Sequence, residues 1–381
     1  MPPPLSLYIH LPWCVAKCPY CDFNSHRAGD APPRGRYVEA LGRELSARAP
    51  AAAGRAIETV FIGGGTPSLF TGSEIRDILQ AARSEFDLVP GAEITMEANP
   101  GTVERGQPAA CREAGINRLS LGAQSFDPDA LRRLGRIHGP AEIGSAFAEA
   151  RAAGFTNINL DLMFALPGQT LAAARDDVER ALALAPEHIS YYQLTLEPNT
   201  VFHSRPPAEL PDDELAWEIQ EQGFQLLAKA GYERYEISAF ARAGRACRHN
   251  LNYWTFGDYL AVGAGAHGKL TDTAGRVWRY QNPAHPVGYI ESTATGTPAS
   301  GAESAADERV FEFMLNALRL PGGFTEACFA ERTGLGWGLV RDRADALRHK
   351  GLIEKVGLRW RPTELGLRFL NDLQAAFLPP A

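Results

Sequence analysis

Short apolar runs alternate with longer amphipathic stretches through the first 200 residues of the chain. Six apolar runs have the length and the β-branched or aromatic content of strands, at residues 7–11, 59–63, 93–97, 118–122, 158–164 and 189–196. Between them lie Ala- and Leu-rich stretches with helical periodicity, at residues 37–49, 73–86, 140–154 and 172–185. This alternation predicts an α/β fold with a parallel sheet. Six units favour a partial (β/α)6 TIM-like barrel, and a doubly wound sheet is the alternative.

The pattern changes after residue 210. A helix is predicted over 212–231, and small polar residues at 292–306 predict a linker. The tail predicts three helices, a strand ending near Val356, a turn at Gly357, a second strand and a last helix. We therefore predict a partial barrel over 1–210, an extension with a linker over 211–300, and a smaller α+β winged-helix-like domain over 301–381.

Composition narrows the function classes. The chain has 381 residues, 45% of them hydrophobic, and a net charge of −7, which argues against a nucleic-acid-binding protein. No apolar run approaches the ~18 residues of a membrane span, and the first residues lack the pattern of a signal peptide. We expect a soluble cytoplasmic protein.

Polar side chains follow the predicted strands one after another. In parallel α/β barrels such positions meet at one rim, where function gathers. The predicted rim residues are Cys14, Gly63, Gly64, Gly65, Thr66, Glu97, Asn99, Gln124, Ser125, Asp161, Thr195 and Glu197. Together they predict a single site assembled at one end of the barrel.

Three of the six cysteines are packed into the spacing C-x3-C-x2-C, at Cys14, Cys18 and Cys21. A [4Fe–4S] cluster normally takes four cysteines, so three would leave one iron with an exchangeable position. Zinc is the alternative, with His10 or His26 as a fourth ligand, but no matching second pair of cysteines follows. The cysteines therefore favour a cluster that is open to a small-molecule ligand.

Other rim residues have the chemistry to hold such a ligand. The glycines at 63–65 allow close approach of backbone, whose N–H and carbonyl groups could bind an amino-acid head group. Glu97 could accept hydrogen bonds from a ribose. Asp161, inside an apolar strand, needs a partner, and Arg136 is a candidate for it or for a ligand carboxylate.

These motifs resemble the radical S-adenosylmethionine (SAM) superfamily, and most closely its oxygen-independent coproporphyrinogen III oxidase-like branch. The matching segments are YIHLPWCVAKCPYCDFNS, FIGGGTPS, EANP, LGAQSF and LPGQT, in order along the chain. The resemblance implies a cluster on Cys14, Cys18 and Cys21 with SAM on its open iron. It also implies a SAM site formed by Tyr8, Tyr20, Gly64, Gly65, Thr66, Glu97, Gln124, Arg136 and Asp161.

Two departures from the oxidase point to a sibling branch that handles heme. The oxidase has a further cysteine where this chain has Phe23, and a longer segment before its first cysteine. His249-Asn250-Leu251-Asn252-Tyr253-Trp254 also matches the HNxxYW motif of that sibling branch. The resemblance then implies heme as a further ligand, with His249 as its iron ligand; Cys247 is an alternative.

We expect a heme chaperone that passes heme to an acceptor protein such as a respiratory one. Coproporphyrinogen III oxidase is the alternative, and a radical SAM enzyme for an unrelated substrate is a third. SAM cleavage activity and a homodimer are compatible with each of these three hypotheses. The sequence assigns no catalytic residue.

Overall fold

The computed structural model describes residues 2–102, 107–296 and 299–379. Its strands are β1 (Leu5–Leu11), β2 (Trp13–Cys14), β3 (His26–Arg27), β4 (Ile57–Gly64), β5 (Leu88–Ala98), β6 (Arg118–Gln124), β7 (Ile158–Phe164), β8 (His188–Gln193), β9 (Glu233–Glu236), β10 (Ala239–Ala241), β11 (Asp258–Val262), β12 (His267–Thr271), β13 (Val277–Gln281), β14 (Ser300–Glu303), β15 (Phe324–Thr325), β16 (Ile353–Val356) and β17 (Arg359–Pro362).

The α-helices alternate with the barrel strands along the chain and continue into the tail. They are α1 (Arg34–Arg48), α2 (Gly72–Glu85), α3 (Gln107–Ala114), α4 (Pro128–Arg133), α5 (Pro140–Ala152), α6 (Leu171–Ala183), α7 (Val201–Ser204), α8 (Asp213–Lys229), α9 (Arg248–Trp254), α10 (Pro286–Thr295), α11 (Ala306–Ala317), α12 (Glu326–Thr333), α13 (Arg341–His349), α14 (Glu364–Arg368) and α15 (Leu370–Ala375). None of the helices in the described ranges is long and apolar enough to cross a membrane.

The six predicted strands form one parallel series, with neighbours in the order β1-β4-β5-β6-β7-β8. A doubly wound sheet reverses its strand order at a switch point, and this series does not. The prediction of a partial barrel is therefore confirmed. Strand β1 is buried at nearly every position, as expected where helices and further structure cover both faces of a parallel sheet.

The sheet continues beyond the predicted strands at both edges. β11 pairs in parallel with β1, with Leu7 opposite Leu260, and β12, β13 and β14 follow as antiparallel strands. At the other edge β10 and β9 pair antiparallel beyond β8. The sheet thus has 12 strands within the described residues, and β1 lies inside it and not at an edge.

The linker predicted over 292–306 is wrong for most of its length. Helix α10 continues to Thr295, and Ser300–Glu303 forms the edge strand β14, which pairs with β13. Residues 297 and 298 lie outside the described residues. All four residues of β14 are exposed. An edge strand is held by backbone hydrogen bonds and needs no apolar side chains, so composition did not reveal it.

The tail has the winged-helix-like character that the sequence predicted. β15, β17 and β16 form a small antiparallel sheet, with the turn between β16 and β17 at Gly357. Its core includes Phe313, Phe329, Trp337 and Trp360. Phe256, which precedes β11, belongs to the same buried cluster. The tail is therefore packed against the extension of the main sheet.

Candidate cofactor and ligand site

Cys14 ends β2, and Cys18 and Cys21 lie in the loop between β2 and β3, named here the cysteine loop; the two strands pair with each other. The Asn24 side-chain amide donates to the carbonyl oxygens of Ala264 at 2.9 Å and Ala284 at 2.8 Å, which fixes the loop to the segments just before β12 and just after β13. Cys14, Cys18 and Cys21 all line one cavity of about 440 Å³, named here the cysteine cavity.

The surroundings of the thiols suit an iron–sulfur cluster. Arg136 donates from Nη1 to Cys18 Sγ at 3.7 Å, and a cation beside sulfur stabilises a thiolate. Burial raises the pKa of Cys14 and Cys21, and the nearby Ser25 hydroxyl acts in the opposite direction on both. Three thiols opening into one cavity can each bind a different iron of a cluster.

The zinc alternative finds no support in the described part of the chain. No three His, Cys, Asp or Glu side chains there are grouped to hold a single metal ion. Both ring nitrogens of His10 are engaged, with the Tyr8 hydroxyl and the Asn24 carbonyl. His26 Nε2 is engaged by Asn24 Oδ1 and the Ala284 carbonyl. His10 therefore has no free nitrogen for zinc, and His26 is not grouped with other ligands for a single metal ion in the described residues.

The glycine turn after β4 is held by the protein itself. The N–H of Gly64 donates to Glu97 Oε2 at 3.1 Å, and those of Gly65 and Thr66 donate to the carbonyls of Leu11 and Trp13, both at 2.8 Å. These three amides are therefore not available to a head group, which corrects part of the prediction. Gly64 has φ +116°, and a Cβ there would lie 2.5 Å from the His10 ring, so only glycine fits.

Two partly buried carboxyl groups, Glu97 and Asp161, face the cysteine cavity. Burial, and secondarily the charge of Asp161, raises the pKa of Glu97 to about 8. Burial also raises the pKa of Asp161, although Asp161 accepts from Asn159 Nδ2 at 2.7 Å and from the Ser120 hydroxyl at 3.3 Å. The expected pair between Asp161 and Arg136 does not form, because Arg136 donates to the Gly122 carbonyl and to Cys18.

Eight of the nine residues predicted to bind SAM line the cysteine cavity, and they are Tyr20, Gly64, Gly65, Thr66, Glu97, Gln124, Arg136 and Asp161. Tyr8, the ninth, lies outside it and lines a neighbouring cavity. Gln124 has the left-handed φ of +69°, and its Oε1 accepts from the Tyr192 hydroxyl at 2.7 Å. Ser125 faces the other way, toward the buried Asp177.

Sequence reasoning missed several side chains of the cysteine cavity, namely Ser120, Met163, Ser190 and Tyr192. The signal was present in the period of two along a strand, because alternate residues share a face. Counting back by two from Gln124 reaches Ser120, and counting forward by two from Asp161 reaches Met163.

A second cavity of about 590 Å³ adjoins the first, and we name it the aromatic cavity. Asp22, Phe23, Gly64 and Glu97 line both cavities and so form their boundary. Its other walls come from β1, from α9, from β11 to β13 and from α11, and include Tyr8, His10, Tyr253, Trp254, Tyr259, His267, Lys269, Arg279 and Asn316. Phe23, although large and apolar, is 60% exposed.

His249 lines neither cavity. It is fully buried, its Nδ1 lies 2.7 Å from the Thr59 hydroxyl, and its Nε2 lies 2.8 Å from the Tyr253 hydroxyl. Burial, with a contribution from Arg118, lowers its pKa to about 3. Both nitrogens are thus occupied, and the structure gives no support to His249 as an iron ligand. Cys247, the alternative, is also fully buried.

The start of the HNxxYW segment serves to attach helix α9 to the barrel. The backbone N–H groups of Arg248 and His249 donate to the Glu93 carboxylate at 3.2 and 3.1 Å, and Cys247 Sγ lies 3.6 Å from the same group. A carboxylate at a helix N-terminus satisfies free amides and favours the helix dipole. This contact positions Tyr253 and Trp254 at the aromatic cavity.

Comparison with known proteins defines the class first. Residues 8–181 match the model of the Radical SAM superfamily, and residues 305–369 match that of the HemN C-terminal domain. The fold is similar to coproporphyrinogen III oxidase (HemN) from Escherichia coli, with a TM-score of 0.83, 23% identity, and coverage of 99% of this chain and 90% of that one. The molecule is a radical SAM protein with a HemN-type C-terminal domain, a class that implies a [4Fe–4S] cluster and SAM.

Full-length relatives then define the branch. The protein named Heme chaperone HemW from Escherichia coli (strain K12) is 47% identical over 376 residues, covering 99% of this chain and 98% of its own length. Its namesake from Haemophilus influenzae is 47% identical over 380 residues, with the same coverage. The chain belongs to the HemW family of the radical SAM superfamily.

Proposed function

We propose that this protein is a heme chaperone that binds heme and transfers it to an acceptor protein. The observation that carries the proposal is the aromatic cavity. Its volume of about 590 Å³ lies in the range of small-molecule and cofactor sites, and it directly adjoins the cysteine cavity. The full-length likeness to proteins named heme chaperones supports it.

The cofactor residues follow from the same proposal. Cys14, Cys18 and Cys21 hold a [4Fe–4S] cluster, and the residues of the cysteine cavity hold SAM beside it. When bound, this pair supplies one-electron chemistry. Glu97 accepts hydrogen bonds from the ligand, Arg136 offsets thiolate charge at Cys18, and the Tyr192 hydroxyl fixes the Gln124 amide.

Phe23 favours carriage of heme over oxidation of a porphyrinogen. It occupies the position where the oxidase carries a further cysteine, and it places an exposed ring at the boundary of the two cavities. A flat aromatic surface next to an open cavity suits a porphyrin face. The acceptor is proposed to be a heme protein such as a respiratory one. A cytoplasmic location and a homodimer belong to the same proposal.

Heme titration of the anaerobically reconstituted full chain tests the proposal, with and without SAM and reductant. We expect a saturable Soret band at one heme per chain. A parallel anaerobic assay supplies coproporphyrinogen III, SAM and reductant. Conversion of that substrate would show that the protein is an oxidase, and absence of saturable heme binding would refute the chaperone.

A further inference from the structure

We propose that His267, at the start of β12, is the residue that ligates heme iron, with the porphyrin lying in the aromatic cavity against Phe23. The inference rests on the proposed heme-binding function and assigns the ligand within it. It replaces His249, which the HNxxYW motif had suggested.

Availability of a ring nitrogen singles out His267. Two histidines line the aromatic cavity, His10 and His267. Both nitrogens of His10 are engaged, by Tyr8 and by the Asn24 carbonyl. His267 is exposed and its ring makes no hydrogen bond to any other described residue. His249 is buried outside the cavity with both nitrogens occupied.

The surroundings of His267 favour the form of imidazole that binds iron. Partial burial, together with the charge of Arg279, lowers the pKa of His267 below its ordinary value. A lowered pKa favours the neutral ring, and neutral imidazole is the form that binds a metal. No carboxylate is hydrogen-bonded to it in the described structure, so no internal acceptor competes with the metal.

The lining around His267 includes small and aromatic residues that suit a flat ligand with an apolar face. The two residues before His267 are small: Gly265 and Ala266 line the cavity beside the histidine without filling it. Phe23 is 60% exposed and offers a ring face, while Tyr253 and Tyr259 supply further aromatic wall. Aromatic contact of this kind is the main source of stabilisation for a large conjugated ring.

A porphyrin in this position also explains why Phe23, in the loop between β2 and β3, has an exposed ring. Covering Phe23 with a porphyrin would remove its apolar surface from water, a favourable change in free energy. Because Phe23 lines both cavities, a heme bound there would adjoin the cysteine cavity.

The test is heme titration of the reconstituted full chain carrying His267→Ala, with His349→Ala as the matched control. His349 is also exposed and lines neither cavity. We expect His267→Ala to weaken heme affinity by about tenfold or more and to shift the Soret band and the resonance Raman coordination markers. Added imidazole should restore the spectrum, and His349→Ala should match the wild type.

The outcomes separate this inference from the function on which it rests. A wild-type protein without saturable heme binding would refute the heme chaperone itself, and the ligand with it. Wild-type binding with an unchanged His267→Ala spectrum would refute only the ligand. His249→Ala should retain the wild-type Soret position in its folded fraction, and loss of ligation there alone would overturn the assignment. Iron content and circular dichroism check folding of each variant.

Discussion

The two adjoining cavities are built in different ways. Apart from the cysteine loop, the lining of the cysteine cavity comes largely from consecutive parallel strands and the residues that follow them, at the same end of the sheet. The aromatic cavity is formed where the cysteine loop, the β11 to β13 extension and helix α11 of the tail meet. Its lining residues therefore range along the chain from Tyr8 to Asn316. The strand-derived wall of the first cavity is fixed by the barrel itself. The second depends on contacts between distant segments and can vary while the barrel stays the same.

The largest expected effect comes from Cys18→Ser, which removes a thiol that lines only the cysteine cavity. Iron content should fall from about four per chain to nearly zero, because three thiolates are the minimum for this cluster. Heme affinity should stay within about twofold of the wild type, because the aromatic cavity lacks this side chain. Iron analysis and heme titration measure the two effects.

Cys328→Ser is the control, since Cys328 lies in the tail and lines neither cavity. It should keep both iron and heme. Loss of heme binding in Cys18→Ser with an intact fold would mean that the cavities are not independently built.

The next largest effect is expected from Gly65→Ala, in the turn that follows β4. A Cβ at Gly65 would lie 2.6 Å from the Trp13 carbonyl oxygen, so the backbone must move. We expect a loss of about 2–3 kcal/mol in the free energy of unfolding, measured in urea, and weaker SAM binding.

Gly144→Ala provides the comparison, because that glycine lies within α5 with open space around its Cβ position. It should stabilise the protein by up to about 1 kcal/mol. Equal stability of the two variants would show that the turn adapts freely.

Glu97→Gln, at the boundary between the two cavities, should change the pH dependence of the free energy of unfolding. The folded-state pKa of Glu97 is raised to about 8 from an ordinary 4.5, so the folded state holds a proton that the unfolded state releases. Wild-type stability is therefore lost as pH rises between these values. Glu97→Gln should remove this loss and be more stable than the wild type at pH 8.5 by about 2 kcal/mol, with little difference near pH 4.5.

Urea unfolding at both pH values gives the difference, with the exposed Glu113→Gln as a control that should follow the wild type. A pH-independent difference between Glu97→Gln and the wild type would show that Glu97 ionises normally.

Tyr253→Phe should have the smallest effect. It removes one hydrogen bond, to His249 Nε2, and should lower the free energy of unfolding by about 1 kcal/mol. Since His249 lies outside the aromatic cavity, the Soret position should not change. A shifted band would indicate that the freed His249 reaches iron, and would make α9 a ligand-bearing element.

The barrel and the cysteine cavity were the more predictable parts. β7 was predicted at its observed bounds, and the other five barrel strands within a few residues, because apolar runs and amphipathic helices alternate strictly. Polar residues at strand ends then converge by topology alone. The orientation of individual residues was not predictable. Ser125 turns toward Asp177, and Gln124 adopts a left-handed φ that its residue type does not indicate.

The aromatic cavity was not predictable for physical reasons. β11 and β12 are five residues each, within a glycine-rich stretch, and their place in the sheet depends on pairing with β1, more than 240 residues earlier. Tyr253 and Trp254 of the HNxxYW motif line the aromatic cavity, but His249 of the same motif is buried outside it. His267 belongs to no motif, and only the three-dimensional packing shows that its ring is free.

The Asn24 contacts have a consequence for the order of assembly during synthesis. The cysteine loop is held by carbonyls at Ala264 and Ala284, and β1 by a neighbour that ends at Val262. A ribosome-bound chain that has emerged only through its sixth barrel strand lacks all of these supports. The loop that carries its thiols then lacks these contacts until some 90 further residues, up to Ala284, have been made. A cluster bound by these thiols would therefore have its complete surroundings only after the strands that extend the barrel have been synthesised.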